Sequence, residues 1–365
     1  MKNLKFSPVE KSQFSDTLRE RVNEYFTSNN ISSYGNYNMV LKSVFMMTVY
    51  ITPLILFYTQ VVTNEIAIFF LYILIGLGKA GIGMGIMHDA NHGSYSKNKT
   101  VNKWMGLTIN FIGANAKVWK IQHNVLHHTY TNIDGADDDI NVPGVLRFSP
   151  NAKRYWFHKF QFLYAWLFYG ISTLWWMTVK DFVRLTRFRN MNLVKSKKEY
   201  WKAMLNIMMW KIFYFSYILV IPMIVLPVSP WVIVLSFVSM HFVTGLILSI
   251  IFQTAHVVTD TEFPLPDENG TISEDWFKHQ LETTCNYAPK SRFFSWLIGS
   301  LNFQVEHHLF PKVCHVHYKN LSHIVRKTAE EYNLPYHTKS NFIIAVYDHV
   351  LMLYNLGKAK RTVLS

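Results

Sequence analysis

The sequence has few cysteines and few charged residues. Only two of its 365 residues are cysteine, Cys285 and Cys314. Two thiols can form neither a disulfide framework nor a four-thiolate metal site, so any bound metal needs other ligands. Charged residues make up 16% of the chain, well below the roughly 25% of soluble domains, while hydrophobic residues make up 50%. This composition excludes a disordered chain, a coiled coil and a disulfide-rich miniprotein.

An apolar segment is also missing from residues 1–38. We therefore expect no cleavable secretory signal, and we predict a cytosolic N-terminal arm over these residues. Four apolar segments follow, each long enough to cross roughly 30 Å of hydrocarbon as a helix. They are residues 39–62, 66–87, 207–226 and 231–252. Because short turns join them in pairs, we predict an all-α integral membrane protein with four transmembrane helices arranged as two hairpins.

Basic residues are unevenly distributed along the chain. The formal net charge is +13, yet the two hairpin turns contain no Lys or Arg, whereas residues 1–38 contain 5, residues 88–205 contain 17 and residues 253–365 contain 11. The positive-inside rule then places both termini and both large polar regions in the cytoplasm. We interpret the net charge as a signal of topology and lipid headgroup contact, and we expect no nucleic-acid partner.

Residues 160–180 form one more apolar segment, which is crowded with aromatic side chains. Aromatic side chains favour the headgroup level of a bilayer, so we predict an interfacial helix there. A fifth crossing would also separate the histidines near residue 307 from those near residue 88. We divide the chain into the N-terminal arm, a membrane domain over residues 39–330 with a cytoplasmic helical cap, and a cytosolic C-terminal tail over residues 331–365.

Sixteen histidines are the unusual feature of the composition. Half of them are grouped near the predicted membrane boundary, in HDANH (His88, His92), HNVLHH (His123, His127, His128) and QVEHH (Gln304, His307, His308), with His256 alone after the fourth span. A spacing of four residues places two imidazoles on one helical face. In an α-helix, His128 is rotated about 100° from His127 and can serve a second metal.

Four spans bring all these histidines out on the cytoplasmic side, where they can converge on a metal site. Imidazole suits iron, copper, zinc or nickel, and the ligand type alone does not choose among them. Eight nitrogens are too many for one tetrahedral zinc. The sequence therefore predicts two metals that retain open positions.

HDANH, HNVLHH and QVEHH resemble the three histidine boxes of the integral-membrane fatty acid desaturases. The four-span layout, the aromatic segment and the region after QVEHHLFP are also similar, over roughly residues 40–330. The resemblance implies a di-iron centre in the cytoplasmic cap, which activates O2, removes two hydrogens from adjacent methylenes of an acyl chain and leaves a cis double bond. It implies that the iron ligands are His88, His92, His123, His127, His128, His307 and His308, with His256 as an additional ligand.

Gln304 departs from many members of that family, including the stearoyl type, which have a histidine at this position. A neutral amide is a poor iron ligand, so we expect Gln304 to hydrogen-bond a bound water or a ligand histidine. Glutamine here resembles the front-end subgroup, which inserts a double bond between an existing one and the carboxyl end. Asp89 has two open interpretations, either a carboxylate that orients a ligand imidazole or a solvated residue at a helix end.

The resemblance also implies partners. The substrate is an acyl-CoA or an acyl-lipid, and an external carrier supplies two electrons per turnover. Front-end relatives often carry a fused cytochrome-type domain with a His-Pro-Gly-Gly haem motif, which does not occur in this sequence. We therefore expect a ferredoxin or a small cytochrome-type protein to dock on the basic cytoplasmic face. The lack of organelle-retention signals favours a bacterial inner membrane.

Other polar residues have simpler interpretations. Asp137, Asp138 and Asp139 have two interpretations, contacts with ligand histidines or a solvated turn, and we favour the solvated turn. We expect Lys79 to snorkel from the second span to the cytoplasmic interface, and His241 to be a hydrogen-bonded packing residue. We expect the remaining histidines at the surface or in support of the metal ligands, and these are His158, His279, His315, His317, His323, His337 and His349. Of these, His315 is the first that we would add to the ligand set, because it closely follows the third histidine group.

Three rival functions share parts of this pattern. An iron hydroxylase of alkanes, sterols or carotenoids could use the same metal pair and topology, and a sphingolipid desaturase differs only in the lipid headgroup. A metal transporter could also gather histidines, but transport favours polar ligands at mid-membrane depth. Here the histidines lie at or beyond the predicted ends of the spans.

Overall fold

The computed structural model describes residues 4–7, 13–142 and 144–359. The parts of the predicted arm and tail at residues 1–3, 8–12 and 360–365 lie outside the described residues. The chain forms two compact units, each discontinuous in sequence. The histidine-rich unit comprises Met1–Asn36, Gln122–Ala165 and Ile251–Ser365, and the apolar unit comprises Tyr37–Ile121 and Trp166–Ile250. The predicted division into three consecutive segments stays a prediction.

Most of the described chain is helical. The first half contains β1 (Lys5–Phe6), α1 (Gln13–Ser28), α2 (Tyr37–Tyr58), α3 (Glu65–Gly81), a π-helical turn (Ile82–Ile86), α4 (Met87–His92), α5 (Lys99–Gly106), α6 (Thr108–Phe111), α7 (Ala116–Lys120), a second π-helical turn (Ile121–His127), a 3₁₀ turn (Trp156–Phe160), α8 (Gln161–Trp175), a third π-helical turn (Trp176–Lys180) and α9 (Asp181–Asn190).

The second half has the same character. It contains α10 (Lys197–Phe215), a fourth π-helical turn (Ser216–Val220), α11 (Ile221–Val225), α12 (Pro230–His256), β2 (Thr271–Ile272), α13 (Trp276–Thr283), β3 (Cys285–Tyr287), α14 (Arg292–Leu297), α15 (Gln304–Leu309), a 3₁₀ turn (His315–His317), α16 (Tyr318–Glu331), β4 (His337–Lys339) and α17 (Phe342–Lys358).

Four continuous helical runs are long and apolar enough to cross a membrane. They are Tyr37–Tyr58, Glu65–His92, Lys197–Val225 and Pro230–His256. The prediction of four long apolar helices is confirmed, and the protein is a membrane protein. The helices do not end where the predicted spans end, because hydrophobicity marks the apolar middle of a helix whereas capping residues determine its ends.

Capping explains the two largest differences. The third run begins at Lys197, ten residues before its predicted start, because the Ser196 side chain accepts a hydrogen bond from the backbone N–H of Glu199. The second run continues to His92, where Gly93 adopts a left-handed conformation with φ 79° and ends the helix. The fourth run includes His256 as its last residue, so this histidine does not lie beyond the helix.

The aromatic segment 160–180 forms α8 and the π-helical turn that follows it. It is not among the four described helices that meet the length and hydropathy of a membrane span. Its predicted position at the bilayer interface stays a prediction.

Close backbone contacts hold the apolar unit together. A Cβ atom at Gly78 of α3 would lie 2.7 Å from the backbone nitrogen of Tyr50 in α2, so only glycine allows these helices to approach so closely. The hydroxyl of Thr244 in α12 donates to the carbonyl of Gly76 at 3.0 Å. The helices therefore meet through small residues, as is common in membrane proteins.

Buried charges in the apolar unit are paired or hydrogen-bonded. Lys79 is 2% exposed and donates to the Tyr214 hydroxyl at 2.8 Å, so the prediction that it snorkels was wrong. Lys211 forms an ion pair with Asp181 at 2.6 Å and donates to the Gly113 carbonyl at 3.0 Å. These partners lie far away in sequence, which is why a reading of local sequence could not find them.

The histidine-rich unit has a hydrophobic core of its own. Phe14, Leu18 and Val22 of α1 pack against Leu321 and Val325 of α16. Two short parallel strand pairs, β1 with β2 and β3 with β4, tie separate segments of this unit together. The cluster of histidines described below lies among these elements.

Arg147 fastens the end of α17 to this unit. Its guanidinium is fully buried and donates to the carbonyls of Leu356 at 2.5 Å and Ala359 at 2.8 Å. Those carbonyls have no partner inside the helix because they belong to its last turn. The buried charge thus caps the helix C-terminus, where a cation is favourable.

Candidate metal centre

The second histidine group lies on a π-helical turn, not on an α-helix as predicted. In this turn the N–H of His128 donates to the carbonyl of His123 at 3.0 Å, which is the i→i+5 bond of a π-helix. The two Nε2 atoms of these residues lie 3.2 Å apart. The wider turn therefore brings His128 beside His123, and the prediction that His128 serves a second metal stays a prediction.

Six of the eight predicted ligand histidines come together in the histidine-rich unit. Ring centroids of neighbouring members lie 4.4 to 5.8 Å apart, and each member is at most 4% exposed. The six are His123, His127, His128, His256, His307 and His308. Within the cluster, His127, His256 and His308 each offer one ligand nitrogen within 4.8 Å of the others.

Carboxylates support the second histidine group from one side. Asp137 accepts from His127 Nδ1 at 3.0 Å, and Asp139 Oδ2 lies 3.3 Å from His123 Nδ1. Burial lowers the pKa of His127, but the charges of Asp137 and Asp139 outweigh it and raise the pKa to about 9. Asp137 and Asp138 are buried, so the prediction of a solvated turn was wrong.

The other members of the cluster repeat this arrangement. His308 Nδ1 lies 2.8 Å from the Gln280 amide oxygen, and His256 Nδ1 lies 3.3 Å from the Thr283 carbonyl. His307 Nδ1 lies 3.1 Å from the Tyr318 hydroxyl. Carboxylate, amide and carbonyl oxygens only accept, so the facing Nδ1 atoms carry a proton and Nε2 is the nitrogen that a metal can bind. Metal-binding imidazoles are oriented in this way.

The Nε2 atoms provide a test of whether a metal fits. Nε2 of His127 and Nε2 of His256 are buried and have no hydrogen-bond partner among the described residues. Such buried polar nitrogens cost free energy unless something binds them. The two facing Nε2 atoms of His123 and His128 also need a proton or a cation between them. The donor set of imidazole nitrogens suits iron, although it does not exclude other transition metals.

The third histidine group is held by a buried carboxylate that the sequence analysis missed. Glu306 accepts from the Asn286 amide at 2.8 Å and from the Tyr336 hydroxyl at 2.9 Å, and Asn286 also accepts from the N–H of Val305 at 3.0 Å. Burial raises the pKa of Glu306 to about 7 against the lowering effect of both donors. An acid between an apolar residue, Val305, and two histidines was the available signal.

Gln304 begins α15 and is fully buried. Neither its amide nitrogen nor its amide oxygen has a hydrogen-bond partner among the described residues. Among the described residues, the predicted hydrogen bond from Gln304 to a ligand histidine is therefore absent. A bound water or a ligand remains as a possible partner for its amide.

His88 and His92 lie on α4, in the apolar unit. Their ring centroids are 4.8 Å apart, and each is 5.6 Å from the Trp119 ring at an edge-on angle. The helical spacing of four therefore pairs these imidazoles as predicted. Asp89 is buried, with Oδ1 3.8 Å from His88 Nδ1, so it is not the solvated residue that was one of its two interpretations.

The remaining histidines are mostly interior. His241 is fully buried between the Thr173 and Tyr214 hydroxyls, which confirms its role in packing. The surface interpretation is wrong for His158, His279, His315, His317 and His349, which are buried. His349, for example, contacts the Val257 carbonyl through Nδ1 at 2.7 Å. His323 is exposed and His337 is partly exposed.

Comparison with known proteins gives consistent matches. The family model described as Fatty acid desaturase matches residues 64–340. The acyl-lipid (8-3)-desaturase of Physcomitrium patens is 34% identical over 97% of this chain and 74% of its own length. The sn-1 linoleoyl-lipid 6-desaturase of Arthrospira platensis is 33% identical, over 91% and 89%. The Delta(5) fatty acid desaturase A of Dictyostelium discoideum is 34% identical, over 96% and 76%.

Proposed function

Because the chain belongs to the fatty acid desaturase family, we propose that this membrane oxidoreductase inserts a cis double bond into an acyl chain at two histidine-bound irons, with O2 as co-substrate. One observation carries the proposal. In a single buried cluster, the Nδ1 atoms are bonded to oxygens and the Nε2 atoms of His127 and His256 have no partner among the described residues. Such imidazoles are prepared to bind metal.

We assign His127, His256 and His308 to one iron, because their ligand nitrogens are within reach of a common ion. We assign His123, His128 and His307 to the second iron, and we propose His88 and His92 as further iron ligands because they form the first histidine box. The iron pair would supply the oxidising power that takes hydrogen from an unactivated methylene. The carboxylates of Asp137 and Asp139 keep protons on Nδ1 of His127 and His123, and so fix which nitrogen of each ring faces the metal.

The proposed substrate is an already unsaturated acyl-lipid. Two relatives are named as an acyl-lipid (8-3)-desaturase and an sn-1 linoleoyl-lipid 6-desaturase. Gln304 agrees with this front-end assignment, and we propose that its buried amide hydrogen-bonds a water or a ligand histidine when metal is bound. We also propose that Asp89 orients the His88 ring.

The electron donor and the topology complete the proposal. We propose that a ferredoxin or a small cytochrome-type protein delivers electrons to a basic cytoplasmic face. The same bias of Lys and Arg supports cytoplasmic positions for both termini. We place the enzyme in a bacterial inner membrane, which expression with a membrane-fractionation readout can test.

The experiment compares a ligand variant with a histidine outside the cluster. His256→Ala should lose most of its bound iron and all desaturation while it still inserts in the membrane, whereas exposed His323→Ala should keep both. Iron is measured in purified protein, and products are identified by gas chromatography of host fatty acids. A hydroxylated product would support the hydroxylase instead, and full iron content with full activity in His256→Ala would refute the ligand assignment.

A further inference from the structure

The last helix of the histidine-rich unit, α17, leaves an apolar stripe exposed. Ile343, Tyr347 and Leu351 follow one another at spacings of four residues, so they lie on one face of the helix. Ile343 is 80% exposed and Tyr347 is 68% exposed. Exposed apolar side chains that form a contiguous patch mark a site of interaction with another molecule or with a membrane.

The opposite face of α17 is fixed where a membrane helix ends. His349 Nδ1 donates to the Val257 carbonyl at 2.7 Å, and the Asp348 carboxylate accepts from the backbone N–H of Thr259 at 3.1 Å. Val257 immediately follows His256, the last residue of α12, and α12 is one of the four described helices that are long and apolar enough to cross a membrane. The helix α17 therefore lies close to the level at which this membrane helix ends.

The exposed apolar surface continues beyond the C-terminal end of α17, onto the 3₁₀ turn that precedes α8. The backbone of His158 in this turn lies directly against Gly357, where a Cβ atom would collide with it. The ring centroids of Phe162 and Tyr354 lie 5.4 Å apart. Trp156, the first residue of the turn, is 74% exposed. Tryptophan and tyrosine are enriched where a membrane meets water.

The exposed charges beside these apolar side chains are all positive. Residues 144–165 and α17 together contain one acidic residue, Asp348, which is buried and forms an ion pair with Lys339 at 3.0 Å. Three lysines of these segments are exposed and form no ion pair with a described residue, and they are Lys153, Lys159 and Lys358. Each ammonium lies 3.9 to 5.2 Å from the centroid of a neighbouring aromatic ring.

One class of partner fits both the apolar stripe and the lysines. A helix with an apolar face beside lysines is typical of segments that lie in the membrane interface. Lysine side chains there extend their apolar stems over the hydrocarbon and their ammonium groups toward the lipid phosphates. Protein–protein interfaces, in contrast, are depleted in lysine, so a second copy of the chain fits this surface less well.

We propose that α17 and the adjoining 3₁₀ turn lie in the headgroup layer of the membrane, where their apolar side chains enter the acyl boundary and their lysines bind the phosphates of anionic phospholipids. The inference needs only a membrane protein and does not rest on the proposed desaturase function. The helix α17 is then a second membrane attachment, within the segment predicted as a cytosolic tail. Because α17 also holds Val257, this attachment steadies the chain directly after the proposed ligand His256.

The first experiment measures the depth of α17 in nanodiscs of phosphatidylcholine and phosphatidylglycerol. Full-length Ile343→Cys and Tyr347→Cys variants are labelled with a fluorescent dye, and both native cysteines are buried and stay unlabelled. With a spin label near the top of the acyl chains, both labels should lose most of their fluorescence. Lys327→Cys, at an exposed position of α16, is the matched control and should keep its fluorescence.

Two outcomes of this experiment overturn the inference. One is fluorescence at residues 343 and 347 that is quenched no more than at residue 327. The other is a dimer, seen by light scattering, that Tyr347→Glu dissociates, because the stripe then belongs to a second copy of the chain. Neither readout uses the enzymatic reaction, so both decide the position of α17 whether or not the protein makes a double bond.

The second experiment tests the lysines. Quenching of the label in Tyr347→Cys is compared for spin-labelled phosphatidylglycerol and spin-labelled phosphatidylcholine. Each of Lys153→Gln, Lys159→Gln and Lys358→Gln should lower the preference for phosphatidylglycerol by about fivefold. Lys327→Gln removes an exposed lysine of α16 and should leave the preference unchanged. An unchanged preference in the triple variant overturns the assignment to anionic phospholipids.

Discussion

The two units bury polar groups for different purposes. In the histidine-rich unit, oxygen atoms of Asp137, Gln280 and Thr283 each accept a hydrogen bond from Nδ1 of one imidazole. The other nitrogens of these imidazoles are directed toward a shared centre. In the apolar unit, the side chains of Lys79, Tyr214 and His241 hydrogen-bond to one another and to Thr173, with no further hydrogen bond to a described residue. The first arrangement leaves lone pairs available for a ligand, whereas the second consumes them. Burial of polar groups alone therefore does not identify a metal site.

The ion pair of Asp181 and Lys211 gives the largest expected effect on the apolar unit. Asp181→Ala should lower the stability by about 3–5 kcal/mol, because it leaves the buried Lys211 charge without its counter-ion. Thermal unfolding in detergent measures this. The double variant Asp181→Leu/Lys211→Met is the control and should recover most of the loss. Equal instability of the single and double variants would mean that shape, not charge, determines the effect.

Asp137 gives the matching test of the histidine-rich unit. Asp137→Asn should reduce iron affinity by about 10–100-fold, because a side chain that can also donate no longer fixes the Nδ1 proton of His127. Iron retained during dialysis against a chelator is the measurement. Asp275→Asn, at the N-cap of α13, is the comparison and should keep its iron. Wild-type iron retention in Asp137→Asn would contradict the inference that the oxygen partners of Nδ1 prepare the histidine-rich unit to bind metal.

Two glycines of one helical run allow a smaller comparison within the apolar unit. Gly78→Ala should destabilise the protein by about 1–3 kcal/mol, since its new methyl group would meet the backbone of Tyr50. Gly83→Ala should be neutral or slightly stabilising, because its Cβ has only an ordinary contact. Unfolding temperatures that fall equally for both would show that helix packing at Gly78 is looser than its distances indicate.

Tyr336 gives the smallest expected effect. Tyr336→Phe removes one of the two side-chain hydrogen bonds to Glu306 and should cost about 1 kcal/mol, measured by thermal unfolding. Iron content should stay close to wild type, because Asn286 still donates to the same carboxylate. A complete loss of iron in this variant would show that Glu306 depends on Tyr336 for its position.

The sequence located the clustered histidines better than it located the residues that hydrogen-bond to them. His88 with His92, and His123 with His127, follow helical spacing, so local sequence was sufficient. Four apolar helices were likewise visible as runs of hydrophobic residues. The partners of these residues are distant in sequence, as Gln280 is from His308 and Tyr214 is from Lys79. Contacts of that kind depend on tertiary packing, which no local pattern encodes.

The predictions for aspartates 137–139 and for the conformation of the second histidine group were wrong for a different reason. Three consecutive acids ordinarily indicate a solvated segment, and only the neighbouring imidazoles make their burial favourable. The π-helical turn at Ile121–His127 depends on one extra residue within the turn, closed by an i→i+5 hydrogen bond, and residue type does not specify that choice. Gln304 was noticed because of its position in a motif, yet its surroundings could be known only from the structure.

A further π-helical turn, Ile82–Ile86, separates Lys79 from the first histidine pair. Such a turn accommodates one surplus residue, and one residue of an α-helix corresponds to about 100° of rotation. The angular phase between Lys79 and His88 is thus determined by this insertion. Deletion of a single residue there would restore regular winding and swing the lysine to another side of the helix. An insertion of one amino acid can thereby rotate one part of a long helix about its axis relative to the other part, without lengthening the helix by a turn.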